Sequence, residues 1–210
     1  ISLDTLKADR FKTITRIGDL SKVIKGIEAA QAAGFKRTKL NAVMMRGTND
    51  DEFVDLVQFA IDRELDLSFI EEMPLGEIHG RNTTYISSEE TRELLAQRFE
   101  LIPPTESSGG PARYWRIPGS ESRIGFISPH SHNFCDTCNR VRITAKGELY
   151  PCLGQNDAMH LLPILRDFPG DEAPLRQAIM DSMGIKPFGH DFTQQMDSPQ
   201  VVRFMSMTGG

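Results

Sequence analysis

Residues 1–80 alternate between the sequence patterns of amphipathic helices and of strands, and this alternation restricts the fold more than any other feature. A first helix is predicted from an apolar stripe at helical spacing, formed by Leu20, Val23, Ile24 and Ile27. The stripe stops at Gly34, a residue typical of helix C-termini. A strand is then predicted over residues 39–44. The next helix is predicted to begin at Asn49, with Glu52 as its capping-box partner.

A further strand is predicted where Leu65, Leu67 and Phe69 alternate, and it ends at Pro74. Strands that alternate with helices favour a parallel sheet with crossover helices, so we expect an α/β fold, the remainder of a βα barrel or half-barrel. Functional residues in such barrels lie at the carboxyl ends of the strands. The predicted strand ends are Ser2-Leu3-Asp4, residues 39–45 and Glu71-Glu72-Met73-Pro74.

The second half of the chain has a different character. A short helix is predicted from Ser87, with Glu90 at its third position, and residues 102–120 are then rich in Pro, Gly and Ser. We therefore predict a domain boundary near residue 100, with a partial barrel over residues 1–100 and a small α+β domain over residues 101–210. The second domain is predicted to contain a hairpin that turns at Ala145-Lys146-Gly147 and a last helix over residues 173–183.

The predicted hairpin carries all three cysteines of the chain, Cys135, Cys138 and Cys152. An odd number of cysteines within one short window indicates metal ligands in a reducing, cytoplasmic compartment rather than disulfides. Three thiolates close one face of an iron-sulfur cluster or a zinc ion and leave one coordination position free. His130 or His132 would complete a Cys3His zinc site, and the spacing alone leaves both alternatives open.

The charge pattern indicates an anionic small ligand. A net charge of −5 gives no electrostatic reason to expect nucleic acid, yet residues 111–142 carry five arginines against two acidic residues. Arg140 and Arg142 are two apart on a predicted strand, so they are expected to share a face and to bind one polyphosphate. No stretch approaches the roughly 20 apolar residues of a membrane span.

Several short motifs together resemble the molybdenum cofactor biosynthesis protein A family of radical S-adenosylmethionine enzymes, the GTP 3′,8-cyclases. The C-terminal motifs are Cys135-x2-Cys138-Asn139-Arg140-x-Arg142, Cys152, Lys186-Pro187 with His190, and Gly209-Gly210. The upstream motifs are Ser2-Leu3-Asp4, Lys39-Leu40-Asn41, Gly47-Thr48-Asn49 and Glu72-Met73-Pro74. The resemblance covers essentially the whole chain.

This resemblance implies a lyase that converts GTP to 3′,8-cyclo-7,8-dihydro-GTP, the precursor of cyclic pyranopterin monophosphate in molybdenum cofactor biosynthesis. In the family, a 4Fe-4S cluster on an N-terminal C-x3-C-x2-C motif cleaves S-adenosylmethionine, and the resulting radical abstracts a ribose hydrogen from GTP. Cys135, Cys138 and Cys152 would hold a second 4Fe-4S cluster, whose unligated iron binds the guanine of GTP.

The resemblance also implies roles for single residues. The implied GTP-binding residues are Lys39, Arg140, Val141 and Arg142, the implied S-adenosylmethionine-binding residues are Ser2 and Met73, and the tail Gly209-Gly210 would thread toward the active site. Lys186 and His190 are expected to pack and form hydrogen bonds near the tail. Adjacent strand residues face opposite sides, so at most one of Glu71 and Glu72 is expected to point inward, and no catalytic residue is assigned.

The sequence departs from the family at one place, because it contains no C-x3-C-x2-C motif. Without that motif, we expect that the chain alone does not cleave S-adenosylmethionine. The sequence also begins at Ile1 without a cap or turn, so we expect that it is part of a longer protein whose upstream part is missing. The expected partners are GTP, S-adenosylmethionine, an electron donor and cyclic pyranopterin monophosphate synthase, and a homodimer is compatible with this function.

Two other functions remain open on the residues alone. One is a zinc-stabilised Cys3His binding module without catalysis. The other is a different radical S-adenosylmethionine enzyme with an auxiliary cluster and a peptide substrate, which would not predict Arg140-x-Arg142 or Gly209-Gly210.

Overall fold

The computed structural model describes residues 1–35, 37–75, 84–105, 109–190, 192 and 201–208. The chain divides into two compact units. The first consists of Ile1–Glu72 and Thr83–Asn133, and the second of Met73–Asn82 and Phe134–Gly210. In the described part of the chain, no helix has both the length and the apolar character needed to cross a membrane.

The first unit is built around a four-stranded sheet. Its strands are β1 (Lys39–Met44), β2 (Asp66–Glu71), β3 (Ala112–Arg116) and β4 (Arg123–Ile127). The order across the sheet is β1-β2-β4-β3; β1, β2 and β4 run parallel, and β3 is antiparallel to β4. Ser2 forms a parallel bridge with Asn41, so the start of the chain extends the sheet beyond β1. The mixed α/β class predicted from the alternation is confirmed.

The α-helices in the described part of this unit are α1 (Ala8–Thr15), α2 (Leu20–Ala32), α3 (Phe53–Asp62) and α4 (Ser88–Ala96). The prediction for α2 is confirmed, and the chain leaves it through Gly34 at a φ of 80°, a conformation that glycine adopts without strain. The Ser87–Glu90 capping box of α4 is also confirmed. Helix α1 was not predicted; its buried residue is Phe11.

The capping box predicted at Asn49 is wrong, because a short 3-10 helix, Asp50–Glu52, separates Asn49 from α3. The Asn49 amide instead donates to the carbonyl oxygens of Asp4 (2.7 Å) and Val43 (2.8 Å), and its oxygen accepts from the Met45 amide (2.9 Å). These bonds stabilise the chain after β1 rather than a helix end.

The core of this unit lies on one face of the sheet. Strand alternation puts Leu40, Ala42 and Met44 of β1 on that face, where they are fully buried. Five of the six residues of β2 are buried, so this strand is covered on both faces, as is usual for a central parallel strand. The two faces differ in polarity at β2 as well, since Leu67 and Phe69 lie on the core face and Asp66 and Ser68 on the opposite one.

The second unit contains a small antiparallel sheet of β5 (Arg142–Ile143), β6 (Glu148–Tyr150) and β7 (Met159–His160). Helices α5 (Leu161–Asp167) and α6 (Ala173–Gly184) accompany it, and Leu149, Leu161 and Ala178 form a small apolar core. The predicted hairpin turn is confirmed by a hydrogen bond of 2.9 Å from the Gly147 amide to the Thr144 carbonyl oxygen. The last helix predicted over residues 173–183 is confirmed as α6.

The division between the units lies at Asn133 and Phe134, downstream of the boundary predicted near residue 100. The physical reason is strand pairing: β4 pairs with β2, and β3 pairs with β4, so both strands complete the first sheet. A stretch rich in Pro, Gly and Ser therefore connects elements within one unit.

Candidate functional site

The three cysteines lie on two neighbouring segments of the second unit. Cys135–Thr137 forms a short 3-10 helix, and the Cys138 amide donates to the Cys135 carbonyl oxygen at 3.2 Å, which places both thiols on one tight turn. Cys152 follows β6, the strand that returns from the hairpin. All three cysteines are partly buried.

The thiols are close enough to influence one another. The pKa of Cys152 is raised, first by burial and further by the nearby Cys135 and Cys138, while a hydrogen bond from the Gly154 amide and the charge of Lys186 act in the opposite direction. A bound cation would favour the thiolate forms. Within the described residues, however, no three His, Cys, Asp or Glu side chains are arranged around a position for a single metal ion.

The loop at residues 186–190 packs against both cysteine segments. A Cβ atom at Gly189 would lie 3.4 Å from the Cβ and 3.6 Å from the Sγ of Cys135. A Cβ atom at Gly154 would lie only 2.5 Å from the Cβ of His190. Three cysteine thiols are a donor set suited to an iron-sulfur cluster, so Cys135, Cys138 and Cys152 fit such a group by their chemistry.

Lys186 contacts the cysteine segment directly. Its ammonium group donates to the carbonyl oxygens of Cys138 (2.9 Å) and Arg140 (2.8 Å), and it lies 4.0 Å from the Sγ of Cys138. His190 stacks on Phe192 with ring centroids 4.3 Å apart, and its Nδ1 accepts from the Phe192 amide.

The two arginines after Cys138 do not share a strand. The prediction that they do is wrong, since β5 contains only Arg142 and Ile143, and Arg140 and Val141 precede it. The charges nevertheless lie near each other: burial lowers the pKa of Arg142, and the positive charge of Arg140 lowers it further. Arg142 also donates to the Thr208 carbonyl oxygen at 3.3 Å. An anion near both guanidinium groups would relieve their repulsion.

The first unit contains Ser2 and Lys39. Ser2 lies at the edge of the sheet, and Lys39 is the first residue of β1, at its amino end, where its Nζ donates to the Tyr114 hydroxyl at 3.4 Å. Two further polar residues, Asn41 of the Lys39-Leu40-Asn41 motif and Ser68, lie beside each other on β1 and β2. Asn41 pairs with Ser68, and the Asn41 Oδ1 and Ser68 Oγ atoms are buried without a hydrogen-bond partner among the described residues.

Glu71 and Glu72 differ as expected for adjacent strand residues. Glu71 is fully buried and accepts from the amides of Ser88 (2.9 Å), His130 (3.0 Å) and Ser131 (3.0 Å), and from the Ser131 hydroxyl. Glu72 is partly exposed and accepts from the Thr84 hydroxyl at 2.6 Å. Glu71 thus ties the end of β2 to the start of α4 and to the loop after β4.

The remaining predicted residues are Met73, the Gly209-Gly210 tail, His130 and His132. Met73 is partly buried and belongs to the second unit. Gly209 and Gly210 lie outside the described residues. His132 is exposed, whereas His130 donates through Nε2 to the Glu72 carbonyl oxygen at 3.1 Å and contacts the Tyr85 ring edge-on.

Two family models match the chain. Residues 1–60 match the Radical SAM superfamily, and residues 65–192 match the model described as Molybdenum Cofactor Synthesis C. The second match covers more than half of the chain, which therefore belongs to the Molybdenum Cofactor Synthesis C family. The family resemblance seen in the motifs is confirmed.

Similar curated proteins carry the name GTP 3′,8-cyclase. Those of Pseudomonas entomophila (strain L48) and Pseudomonas putida (strain W619) are 58% and 59% identical over 213 aligned positions. The alignment covers all of this chain and 64% of each relative. The chain thus spans slightly less than two thirds of the length of these relatives.

Proposed function

We propose that the chain is the C-terminal portion of a GTP 3′,8-cyclase, which converts GTP to 3′,8-cyclo-7,8-dihydro-GTP in molybdenum cofactor biosynthesis. The structural observation behind this proposal is that the turn with Cys135 and Cys138 and the segment with Cys152 contact the same loop at residues 186–190, with Arg140 and Arg142 directly after the turn. The relatives that share its sequence over the whole chain carry that name. Because the chain has no C-x3-C-x2-C motif, it is not expected to begin the radical reaction alone.

Within this function, Cys135, Cys138 and Cys152 hold a 4Fe-4S cluster with one iron left without a protein ligand. The cluster supplies an open iron position to which the guanine of GTP can bind. The tight turn at Cys135 and the hairpin before Cys152 support this assignment. A second 4Fe-4S cluster and S-adenosylmethionine belong to the part of the reaction that needs the C-x3-C-x2-C motif.

The contacts of the two arginines with substrate follow from charge, and those of the other residues follow from the family resemblance. Arg140 and Arg142 bind the triphosphate, because guanidinium groups pair with phosphate oxygens through two parallel hydrogen bonds. Val141 contributes its backbone, and Lys39 is a further GTP ligand. Ser2 and Met73 contact S-adenosylmethionine, and the Gly209-Gly210 tail approaches the active site.

The remaining parts of the proposal concern architecture and context. The parallel strands β1, β2 and β4 with their helices support a partial (βα)6 barrel in the first unit. We place the enzyme in the cytoplasm, with an electron donor and cyclic pyranopterin monophosphate synthase as partners and a homodimer as its assembly.

The zinc-binding alternative finds less support. Its fourth ligand would be His130 or His132, but Nε2 of His130 already donates to the Glu72 carbonyl oxygen. His132 is exposed, and neither residue belongs to the compact unit that contains the cysteines.

Metal analysis tests the proposal directly. The chain is reconstituted anaerobically with iron and sulfide, its metal content is measured, and GTP is titrated into the product. We expect about four irons per chain and GTP binding. A His130→Ala, His132→Ala double variant serves as the control and is expected to keep its iron. Failure of the wild-type chain to take up iron, or zinc retention that depends on these histidines, would refute the proposal.

A further inference from the structure

Two cations bind the main chain just after the cysteines. Lys186 donates to the carbonyl oxygens of Cys138 and Arg140 at 2.9 and 2.8 Å. Arg203 donates to the carbonyl oxygens of Leu153 and Gln155 at 3.1 and 2.6 Å. Each cation therefore holds two carbonyl groups of a segment that begins at or directly after a cysteine. Hydrogen bonds from charged donors are the stronger kind, so both segments gain rigidity.

The two cations differ in their distance from sulfur. The Nζ atom of Lys186 lies 4.0 Å from the Sγ of Cys138, and its positive charge also acts on Cys152. The Arg203 guanidinium instead lies over the Tyr150 ring, 3.7 Å from the ring centroid. Lys186 thus holds main-chain carbonyl groups and places a charge beside a thiol, whereas Arg203 contacts main chain, the Asn156 side chain and an aromatic ring.

The bonds of Lys186 also connect the two halves of the site. One of its acceptors is the carbonyl group of a cysteine, and the other belongs to Arg140, the first of the two arginines. Both hydrogen bonds depend on one ammonium group, so they fix the distance between the Cys138 thiol and the start of the Arg140–Arg142 segment. A shift of Lys186 would move the metal ligand and the phosphate-binding arginines relative to each other.

We propose that Lys186 is a positioning residue of this site: it holds Cys138 and Arg140 in register and places a positive charge beside the cysteine thiolates. This inference rests on the proposed function for the identity of the bound group. A nearby cation stabilises the more negative, reduced form of an iron-sulfur cluster, so loss of the charge makes the cluster harder to reduce.

The test compares four variants of the full chain with the wild type after anaerobic reconstitution. Lys186→Met removes both the hydrogen bonds and the charge, Lys186→Gln keeps amide donors without the charge, and Lys186→Arg keeps both. Arg203→Met is the matched control, since it releases the other carbonyl pair and leaves the charge beside the sulfurs in place. The readouts are iron retention against a chelator, the midpoint potential followed by electron paramagnetic resonance, and the dissociation constant for GTP.

For Lys186→Met we expect iron affinity to fall by about 10-fold to 100-fold, the usual effect of losing a group that orients a metal ligand. GTP binding is expected to weaken about 10-fold. Lys186→Gln is expected to keep iron but to show a more negative midpoint potential, and Lys186→Arg to resemble the wild type. Arg203→Met is expected to keep the wild-type midpoint potential.

Three outcomes decide the matter. A Lys186→Met chain with wild-type iron retention, potential and GTP affinity overturns the inference while leaving the proposed function intact. If that variant does not fold, a wild-type potential in Lys186→Gln, or an equal shift in Arg203→Met, overturns it in the same way. A wild-type chain that takes up no iron refutes the proposed function and, with it, the group that Lys186 would serve.

Discussion

Replacing Glu71 by Gln tests how the end of β2 is held. The two carboxylate oxygens accept three backbone amides and one hydroxyl, and the side chain is fully buried. In a glutamine, the amide nitrogen must take one of the two oxygen positions. In the less damaging orientation it faces the Ser88 amide and the Ser131 hydroxyl, and the hydroxyl can rotate to accept a hydrogen bond.

The Ser88 amide cannot rotate in this way and loses its acceptor. A buried donor left without a partner costs about 1–3 kcal/mol. Ser88 is the first residue of α4, so the lost negative charge at this helix N-terminus adds about 0.3–1 kcal/mol. We therefore expect the free energy of unfolding of the first unit to fall by about 1–4 kcal/mol. For a chain of this size, that corresponds to a decrease in melting temperature of about 3–16 °C.

Glu72→Gln provides the matched control, since this neighbouring carboxylate is partly exposed and accepts from the Thr84 hydroxyl, which can reorient. Thermal melts give the global effect, and amide hydrogen exchange at Ser88, His130 and Ser131 gives the local one. Faster exchange at these amides is expected only in Glu71→Gln. Equal melting temperatures for the two variants, with unchanged exchange at Ser88, would contradict the role assigned to Glu71.

Three further predictions address the site and its surroundings. Arg142→Ala should weaken GTP binding by about 1.5–3 kcal/mol in a titration while leaving the iron content unchanged. Val141→Ala is the control and should alter neither quantity. Loss of iron in Arg142→Ala would indicate a structural role for Arg142. Gly154→Ala should destabilise the second unit by about 1–3 kcal/mol in denaturant unfolding, because the new Cβ atom would lie 2.5 Å from that of His190. Gly184→Ala, where no atom lies within 4 Å, is its control, and an equal effect would refute the packing argument. Burial lowers the pKa of His130 below 6.5, so the unfolded chain binds the proton more tightly, and the stabilisation present above pH 6.5 is lost as the pH falls through the folded value. Unfolding at several pH values should show a weaker acid dependence in His130→Gln, and an unchanged dependence would exclude His130 as its source.

The elements that could be predicted from sequence are those whose signals are local. The helix α2 follows from four apolar residues at helical spacing, and the cap of α4 follows from Ser87 and Glu90. The turn before Cys152 follows from Gly147, which adopts a φ of 77°. In each case the residues that determine the conformation lie within one or two turns of each other, so tertiary contacts do not override the pattern.

The errors arose where distant residues compete for the same side chain. Asparagine is a common helix-capping residue, but the side chain of Asn49 instead donates to the carbonyl oxygens of Asp4 and Val43. Glu52, the expected partner, is buried and accepts from Thr5 and Leu6 instead. No local pattern indicates that Glu52 will contact Thr5 and Leu6, which precede it by more than 40 residues. The pairing of β4 with β2, and of β3 with β4, was also not predicted, because β2 and β4 are distant in the sequence.

The candidate site shows both situations together. The cysteine spacing is a local signal and identifies the thiols without knowledge of the fold. The role of Lys186 depends on a loop 48 residues after Cys138, and a single lysine before a proline carries no pattern that distinguishes it from a solvated one. Its two carbonyl acceptors become visible only when the loop packs on the cysteine turn. The spacing of the cysteines can therefore be recognised from the sequence alone, whereas a contact between a side chain and a distant main-chain carbonyl group, such as that of Lys186 with Cys138, requires the structure, because every residue type carries the same carbonyl group.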